Sequence, residues 1–134
     1  MAKSFRELNV WKKAVDLALL VHELTADFPK RETYGLSSQM QRAAVSIASN
    51  IAEGSARGTR RDFRQFVKLA EGSNCELQTQ LLIARRLQYS SGPAYDVLDS
   101  LSDEIGKMLT ALSRYLTQEI KGAEVRHTVS ATKN

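Results

Sequence analysis

The sequence has little of what most catalytic and metal sites require. Its 134 residues include one cysteine and two histidines, so an internal disulfide and the usual Cys/His zinc sites are excluded. Two prolines and seven glycines exclude collagen-like and low-complexity architectures. The longest apolar run, residues 17–21, is far shorter than the roughly 20 residues of a membrane helix. Without a signal-like N-terminus, we expect a cytoplasmic protein with no membrane contact, metal or cofactor.

What the sequence does contain is an apolar period of 3.6 residues, in four segments. Clusters of glycine and proline separate these segments. The predicted helices cover about residues 9–28, 35–54, 59–89 and 93–119. No stretch alternates with a period of two beyond chance, so the fold class is all-α. Short connections favour antiparallel neighbours, which predicts an up-down-up-down four-helix bundle in residues 1–121, followed by a flexible C-terminal tail in residues 122–134.

The first and third predicted helices carry apolar residues outside their main stripes. These residues are Val10, Leu17, Leu20 and Leu24 in the first helix, and Leu69, Leu82 and Ile83 in the third. Wide apolar faces are usually buried on two sides, which predicts self-association. The alternative is a thick bundle core with scattered surface leucines. Gly72 inside the third helix costs about 1 kcal/mol relative to alanine, so we expect a closely packed neighbour there.

Positive charge is concentrated at the start of the third helix. Between residues 57 and 68, five cations stand against one acid, and this excess equals the net charge of +4 of the whole chain. We call this set the basic patch: Arg57, Arg60, Arg61, Arg64 and Lys68. A row of cations on one helix face is typical of a surface that binds RNA or DNA phosphates. Lys12 and Lys13 are added to the same predicted site.

The alternative for the basic patch is that its charges serve contacts between helices or subunits. If the second and third helices pair antiparallel, Glu53 lies opposite Arg61 and Asn50 lies opposite Arg64. We expect one or two of the five cations to be neutralised in this way, but not all of them. The sequence therefore leaves open a nucleic-acid surface and a protein-interaction scaffold whose charges serve subunit and partner contacts.

Polar residues border the apolar stripes of the second and third helices. They are Arg42, Ser46, Asn50 and Glu53 on the second, and Ser73 and Glu76 on the third. Such borders usually form hydrogen-bonded networks that fix helix register, so we predict a structural role for these six residues. In the fourth helix Asp96, Asp99 and Asp103 share a face. Acids at a helix start stabilise its dipole more often than they bind a metal.

No catalytic arrangement can be assembled from the sequence. His22 lies inside a predicted helix with no partner that the sequence identifies, and the Glu-x-x-His pattern of di-iron bundles is absent. The glycine-containing segment at residues 54–58 lacks the Lys-Ser/Thr of a phosphate-binding loop. The sequence therefore predicts a protein that is not an enzyme and has no catalytic residues.

Several motifs resemble a known family. They are residues 8–14 (LNVWKKA), 28–36 (FPKRETYGL), 39–54 (QMQRAAVSIASNIAEG) and 70–77 (AEGSNCEL), together with Phe63-x-x-Phe66. Over roughly residues 5–118 the chain resembles the four-helix-bundle proteins encoded in intervening sequences of large-subunit ribosomal RNA genes, once labelled ribosomal protein S23. It is also similar to the accessory proteins of diversity-generating retroelements.

The resemblance implies an assembly but no settled activity. It implies a homopentameric ring of antiparallel four-helix bundles. For the retroelement relatives it also implies a basic surface that binds nucleic acid and a reverse transcriptase. The characteristic residues of the family fall on the six residues of the polar border, so the resemblance names no catalytic site. The resulting prediction is a non-enzymatic, oligomeric bundle that binds RNA or DNA phosphates, with the protein-interaction scaffold as the alternative.

Overall fold

The structure, a computed structural model, describes residues 4–133 and the side chains of residues 4–130. Residues 1–3 and 134, which belong to the predicted bundle and tail, lie outside the described residues. The helices are α1 (Asn9–Ala26), α2 (Leu36–Ala56), α3 (Arg60–Arg86) and α4 (Gly92–Lys133), with short 3-10 turns at Phe5–Glu7 and Lys30–Glu32. No strand occurs within residues 4–133. The prediction of an all-α chain with four helices is therefore confirmed.

Each helix packs on two others around one core. α2 contacts α1 and α3, and α4 contacts α3 and α1. Leu17, Ile47, Leu77 and Ile105, one from each helix, are fully buried, and each such side chain stabilises the fold by about 1.5–3 kcal/mol. Contacts from Arg60 to Glu119 at one end, and from residue 85 to residue 96 at the other, show that α3 and α4 run antiparallel.

The second apolar stripe of α1 belongs to this core. Val10, Leu17 and Leu24 are buried against the other helices. For α1 the alternative of a thick bundle core is therefore correct. The wide apolar face of this helix is no evidence for self-association. In α3 the result is different, because Leu69, Leu82 and Ile83 are each about half exposed. The exposed apolar side chains among these residues, which a second chain could cover, lie on α3.

The predicted end of the fourth helix is wrong. The sequence predicts a stop near residue 119 and a tail after Gly122, whereas α4 continues as one helix to Lys133. A glycine ends a helix when it adopts the left-handed conformation, but Gly58 is the glycine that does so among the described residues. Gly122 keeps a helical backbone, and a single interior glycine costs only about 1 kcal/mol.

The helix starts are fixed by side chains as well as by the apolar pattern. Thr59 precedes α3, and its hydroxyl accepts a hydrogen bond from the backbone N–H of Asp62 at 3.1 Å. Glu32 accepts from the backbone N–H of Leu36, at the start of α2, and from the hydroxyl of Tyr89 at 2.8 Å. Both hydrogen bonds lower the pKa of Glu32, and the one from Tyr89 has the larger effect. The carboxylate thus ties the α1–α2 connection to the α3–α4 connection.

Candidate interaction surfaces

The five cations of the basic patch lie at the junction of α2, α3 and α4, and four of them pair with carboxylates. Arg57 contacts Glu53 at 2.9 Å, and Arg60 contacts Glu119 at 3.7 Å. Arg61 pairs with Glu124, and Lys68 lies 3.8 Å from Glu71. Arg64, which is half-buried, donates to the hydroxyl of Thr117. Two of these cations, Arg60 and Arg61, thus pair with a carboxylate of another helix, which agrees with the expected number of one or two. Arg57 and Lys68 pair instead with acids four and three residues away along the chain.

The partners of Arg60, Arg61 and Arg64 come from α4 and not from α2. The sequence placed Glu53 opposite Arg61, but Glu53 pairs with Arg57, and Arg61 reaches Glu124. The reason is the length of α4, which runs past the start of α3 and brings residues 117–124 beside it. Of these partners, Glu124 lies beyond the predicted end of the helix, whereas Thr117 and Glu119 lie within the predicted helix.

These ion pairs leave the guanidinium groups accessible. The side chains of Arg57, Arg60 and Arg61 are 50%, 56% and 61% exposed. Exposed pairs of this kind contribute about 0–1 kcal/mol, so a stronger anion can displace their carboxylates. The basic patch is therefore a nearly neutral, solvent-facing surface with guanidiniums that can still reach phosphate.

Lys12 and Lys13 do not lie with the basic patch. Lys13 pairs with Glu104 of α4 at 3.0 Å, and Lys12 is exposed near the start of α1. Glu104 lies 15 residues before Glu119, the partner of Arg60. At about 1.5 Å per helical residue, the two acids are roughly 22 Å apart along α4. The structure thus separates the two lysines from the other predicted nucleic-acid-binding residues.

Three of the six border residues meet between α2 and α3. The hydroxyls of Ser46 and Ser73 are 2.8 Å apart, and the amide of Asn50 donates to the carbonyl and the hydroxyl of Ser46 at 2.8 and 3.0 Å. Glu53 is engaged by Arg57 instead. Arg42 and Glu76 are exposed. Within the described part of the chain neither of these two makes a hydrogen bond or ion pair, so they stand outside the network.

Beside this network lies an exposed surface that we call the α2–α3 face. It consists of Arg42, Val45 and Ser49 from α2, and Leu69, Gly72, Glu76 and Ile83 from α3. Val45, Leu69 and Ile83 are 45–48% exposed. A Cβ built on Gly72 would meet no atom within 4 Å. The close neighbour that we expected at this glycine is therefore not part of the described chain.

The acidic face of α4 is occupied within the chain. Arg85 contacts Asp96 at 3.0 Å and Asp99 at 3.4 Å, while Asp103 accepts a hydrogen bond from Gln78. Burial raises the pKa of Asp99 despite the neighbouring Arg85. Within the described residues no group of three or more His, Cys, Asp or Glu is placed to hold a metal ion. In the same part of the chain, no helix combines the length and apolarity needed to cross a bilayer.

Comparisons with known proteins agree with this architecture. A solved structure from Bacteroides thetaiotaomicron, described as a protein of unknown function from the S23 ribosomal protein family, superposes with a TM-score of 0.70. It is 23% identical, and the alignment covers 78% of this chain and 97% of that chain. No curated protein matches. The sequence profile described as 23S rRNA-intervening sequence protein matches residues 6–111. The chain belongs to the 23S rRNA-intervening sequence protein family.

Proposed function

We propose that the protein is a non-enzymatic, self-associating scaffold whose subunits meet through the α2–α3 face. The observation that carries this proposal is Gly72. A glycine inside a helix costs about 1 kcal/mol relative to alanine, and no contact within the described chain requires it. A second chain packed closely against α3 would require it, because only glycine lets two helix backbones approach without a Cβ between them.

The chemistry around Gly72 fits a second copy. Leu69 and Ile83 provide exposed apolar area on either side of the glycine along α3. Arg42 and Glu76 carry opposite charges and have no partner within the described chain, so each can pair with an opposite charge on the adjoining chain. The proposed assembly is the homopentameric ring of up-down-up-down bundles that the resemblance implies, in which the α2–α3 face of one subunit packs on a different surface of the next. It would also present partner-binding surfaces, for which a reverse transcriptase is the predicted partner by resemblance.

The Gly72→Arg variant tests the α2–α3 face. We expect the wild-type chain to have the mass of five chains in size-exclusion chromatography with light scattering, and the variant to have the mass of one. The matched control is Ser100→Arg, which adds the same side chain at an exposed position of α4 and should assemble normally. Circular dichroism checks that both variants remain helical. A monomeric wild type, or a Gly72→Arg chain of unchanged mass, would contradict the proposal.

A second candidate function is binding of RNA or DNA phosphates by the basic patch. It is favoured by the exposure of Arg57, Arg60 and Arg61 despite their ion pairs. Because phosphate binding releases counterions, the affinity should fall steeply with salt.

The experiment is fluorescence anisotropy with a structured RNA and a duplex DNA at about 50 and 200 mM salt. We expect salt-sensitive binding that is lost when Arg60, Arg61 and Arg64 are all changed to Glu. The control changes Lys30, Arg86 and Lys107, three exposed cations elsewhere, to Glu and so has the same net charge. Equal loss in both variants would mean that only total charge matters, and it would reject the basic patch as the site.

A further inference from the structure

The outer side of α1 carries a stripe of exposed residues. Lys12, Asp16, Leu19 and Glu23 follow one another at helical spacing, so they lie on one side of the helix. All four are exposed, and Leu19 is 61% exposed. Within the described residues, the side chains of Lys12, Asp16 and Glu23 make no hydrogen bond or ion pair. We call these four residues the α1 stripe, a surface that carries both charges and an apolar side chain.

The α1 stripe and the α2–α3 face lie on different sides of the bundle. α1 packs on α2 and α4 but does not contact α3 within the described part of the chain, so α1 and α3 occupy diagonal positions. The α1 stripe therefore points away from α3, and a chain can bind one neighbour through each surface. Because the two surfaces are not directly opposite each other, a row of such contacts curves and can close into a ring.

The α1 stripe begins at the level of Gly72 along the bundle. The side chain of Asn74 forms hydrogen bonds with Ser102 across α3 and α4. Because these two helices are antiparallel, Gly72 is about level with Glu104 of α4. Glu104 in turn contacts Lys13 of α1 at 3.0 Å. The level of Gly72 on α3 is therefore also the level at which the α1 stripe starts.

The charged residues of the two surfaces share a second level, one helical turn further along. The hydroxyls of Ser46 and Ser73 are 2.8 Å apart, so Arg42, one turn before Ser46 on α2, is about level with Glu76 on α3. α1 runs antiparallel to α4, as α3 does. One turn beyond the level of Gly72, the α1 stripe therefore presents Asp16.

We propose that the α1 stripe of one chain packs on the α2–α3 face of the next chain, with the two chains side by side at the same level. This inference rests on the proposed function, in which the α2–α3 face is a subunit contact, and it names the surface on the other side of that contact. Equal levels bring Asp16 beside Arg42 and Lys12 within one helical turn of Glu76. Four charges that have no partner within the described residues thus form two ion pairs across each contact.

The other residues of the two surfaces fit the same arrangement. The aliphatic stem of Lys12 lies over Gly72, where a Cβ would meet no atom of its own chain and its absence lets α1 of the next chain come close. Leu19, further along the α1 stripe, then packs beside Ile83, which is 46% exposed. Both apolar side chains are removed from water by this contact.

A charge exchange within one chain tests the pairing of Asp16 with Arg42. Asp16→Arg and Arg42→Asp each place like charges at the contact, so each should raise the concentration needed for assembly about tenfold. The double variant should assemble nearly as the wild type does, because every contact then holds the exchanged pair. Recovery cannot come from within one chain, since the two side chains lie on different sides of the bundle. Light scattering over a dilution series measures the assembly.

The matched control is Asp103→Arg. It makes the same charge change as Asp16→Arg at an exposed position of α4 that faces α3, outside both surfaces, and it should assemble as the wild type does. Circular dichroism verifies that every variant is folded. A control that weakens assembly as much as Asp16→Arg does would contradict the proposal, because the effect would then come from total charge.

The remaining outcomes separate this inference from the proposed function. A monomeric wild type, or a Gly72→Arg chain of unchanged mass, overturns both, because the α2–α3 face is then not the subunit contact. If the wild type assembles and Gly72→Arg does not, normal assembly of Asp16→Arg rejects the α1 stripe alone. A double variant that fails to recover has the same meaning, and it assigns the α2–α3 face to another surface of the next chain.

Discussion

Replacing Gly54 with alanine is expected to lower the free energy of unfolding by about 3 kcal/mol, the upper part of the usual range for overpacking. Gly54 is buried in α2 where this helix crosses α3. A Cβ at this position would lie 2.5 Å from the Cβ of Phe66 and 3.2 Å from the ring of Phe63. The first of these atoms is next to the α3 backbone and cannot rotate away. The two helices would have to separate, and chemical denaturation would measure the loss.

The matched control is the same substitution at Gly72. No atom lies within 4 Å of the added methyl group, so Gly72→Ala should gain about 1 kcal/mol from helix propensity. Both variants are compared in solutions dilute enough for the chain to be monomeric, because Gly72 lies in the proposed α2–α3 face. An unchanged stability of Gly54→Ala would show that α2 and α3 have room to accommodate a side chain at their crossing.

The glycines show one limit of what can be predicted from the sequence alone. Its glycine clusters were interpreted as helix ends, and Gly54 was placed at such an end, although α2 continues to Ala56. The sequence does not distinguish a glycine that ends a helix from a glycine that makes room for a crossing helix. The difference lies in the backbone conformation and in the neighbour, and both are set by tertiary structure. The same ambiguity at Gly122 shortened the predicted α4.

The apolar period predicted the helices well because burial selects one face of each helix. In α1, however, Val10, Leu17 and Leu24, which the sequence placed outside the main apolar stripe, are in the core. An apolar residue whose side chain points about 100° away from the core can still cover the edge of the core. A wide apolar stripe therefore does not show which of its residues are fully buried. The basic patch shows the same limit, because the partners of its cations depend on where another helix ends.

One polar pair in the core had no signal in the sequence. Asn74 and Ser102 are buried between α3 and α4. The hydroxyl of Ser102 donates to the amide oxygen of Asn74 at 2.8 Å, and the amide nitrogen of Asn74 donates to the carbonyl of Ser102 at 3.0 Å. Ser73, one residue earlier, is the residue for which the sequence predicts a polar network. Adjacent residues on a helix point 100° apart, so Ser73 faces α2 while Asn74 faces α4.

Replacing either member of this pair should lower the free energy of unfolding, and replacing both should lower it by less than the sum of the two single effects. Ser102→Ala leaves the amide oxygen of Asn74 buried without a donor, and we expect a loss of about 1–3 kcal/mol in the free energy of unfolding. Asn74→Ala should cost a similar amount, because the hydroxyl of Ser102 loses its acceptor. The double variant should fall short of the sum by about 1–2 kcal/mol, which is the coupling between the two side chains.

The comparison that isolates this coupling is Ser113→Ala in the same helix. Ser113 is also buried, but its hydroxyl makes no hydrogen bond within the described chain, so its loss leaves no buried partner unsatisfied and should change stability less than Ser102→Ala does. Strict additivity in the Asn74–Ser102 cycle would show that the two side chains are solvated independently of each other. A clear coupling would show that Asn74 and Ser102 stabilise the packing of α3 on α4 as a pair, beside the other polar contacts between these two helices.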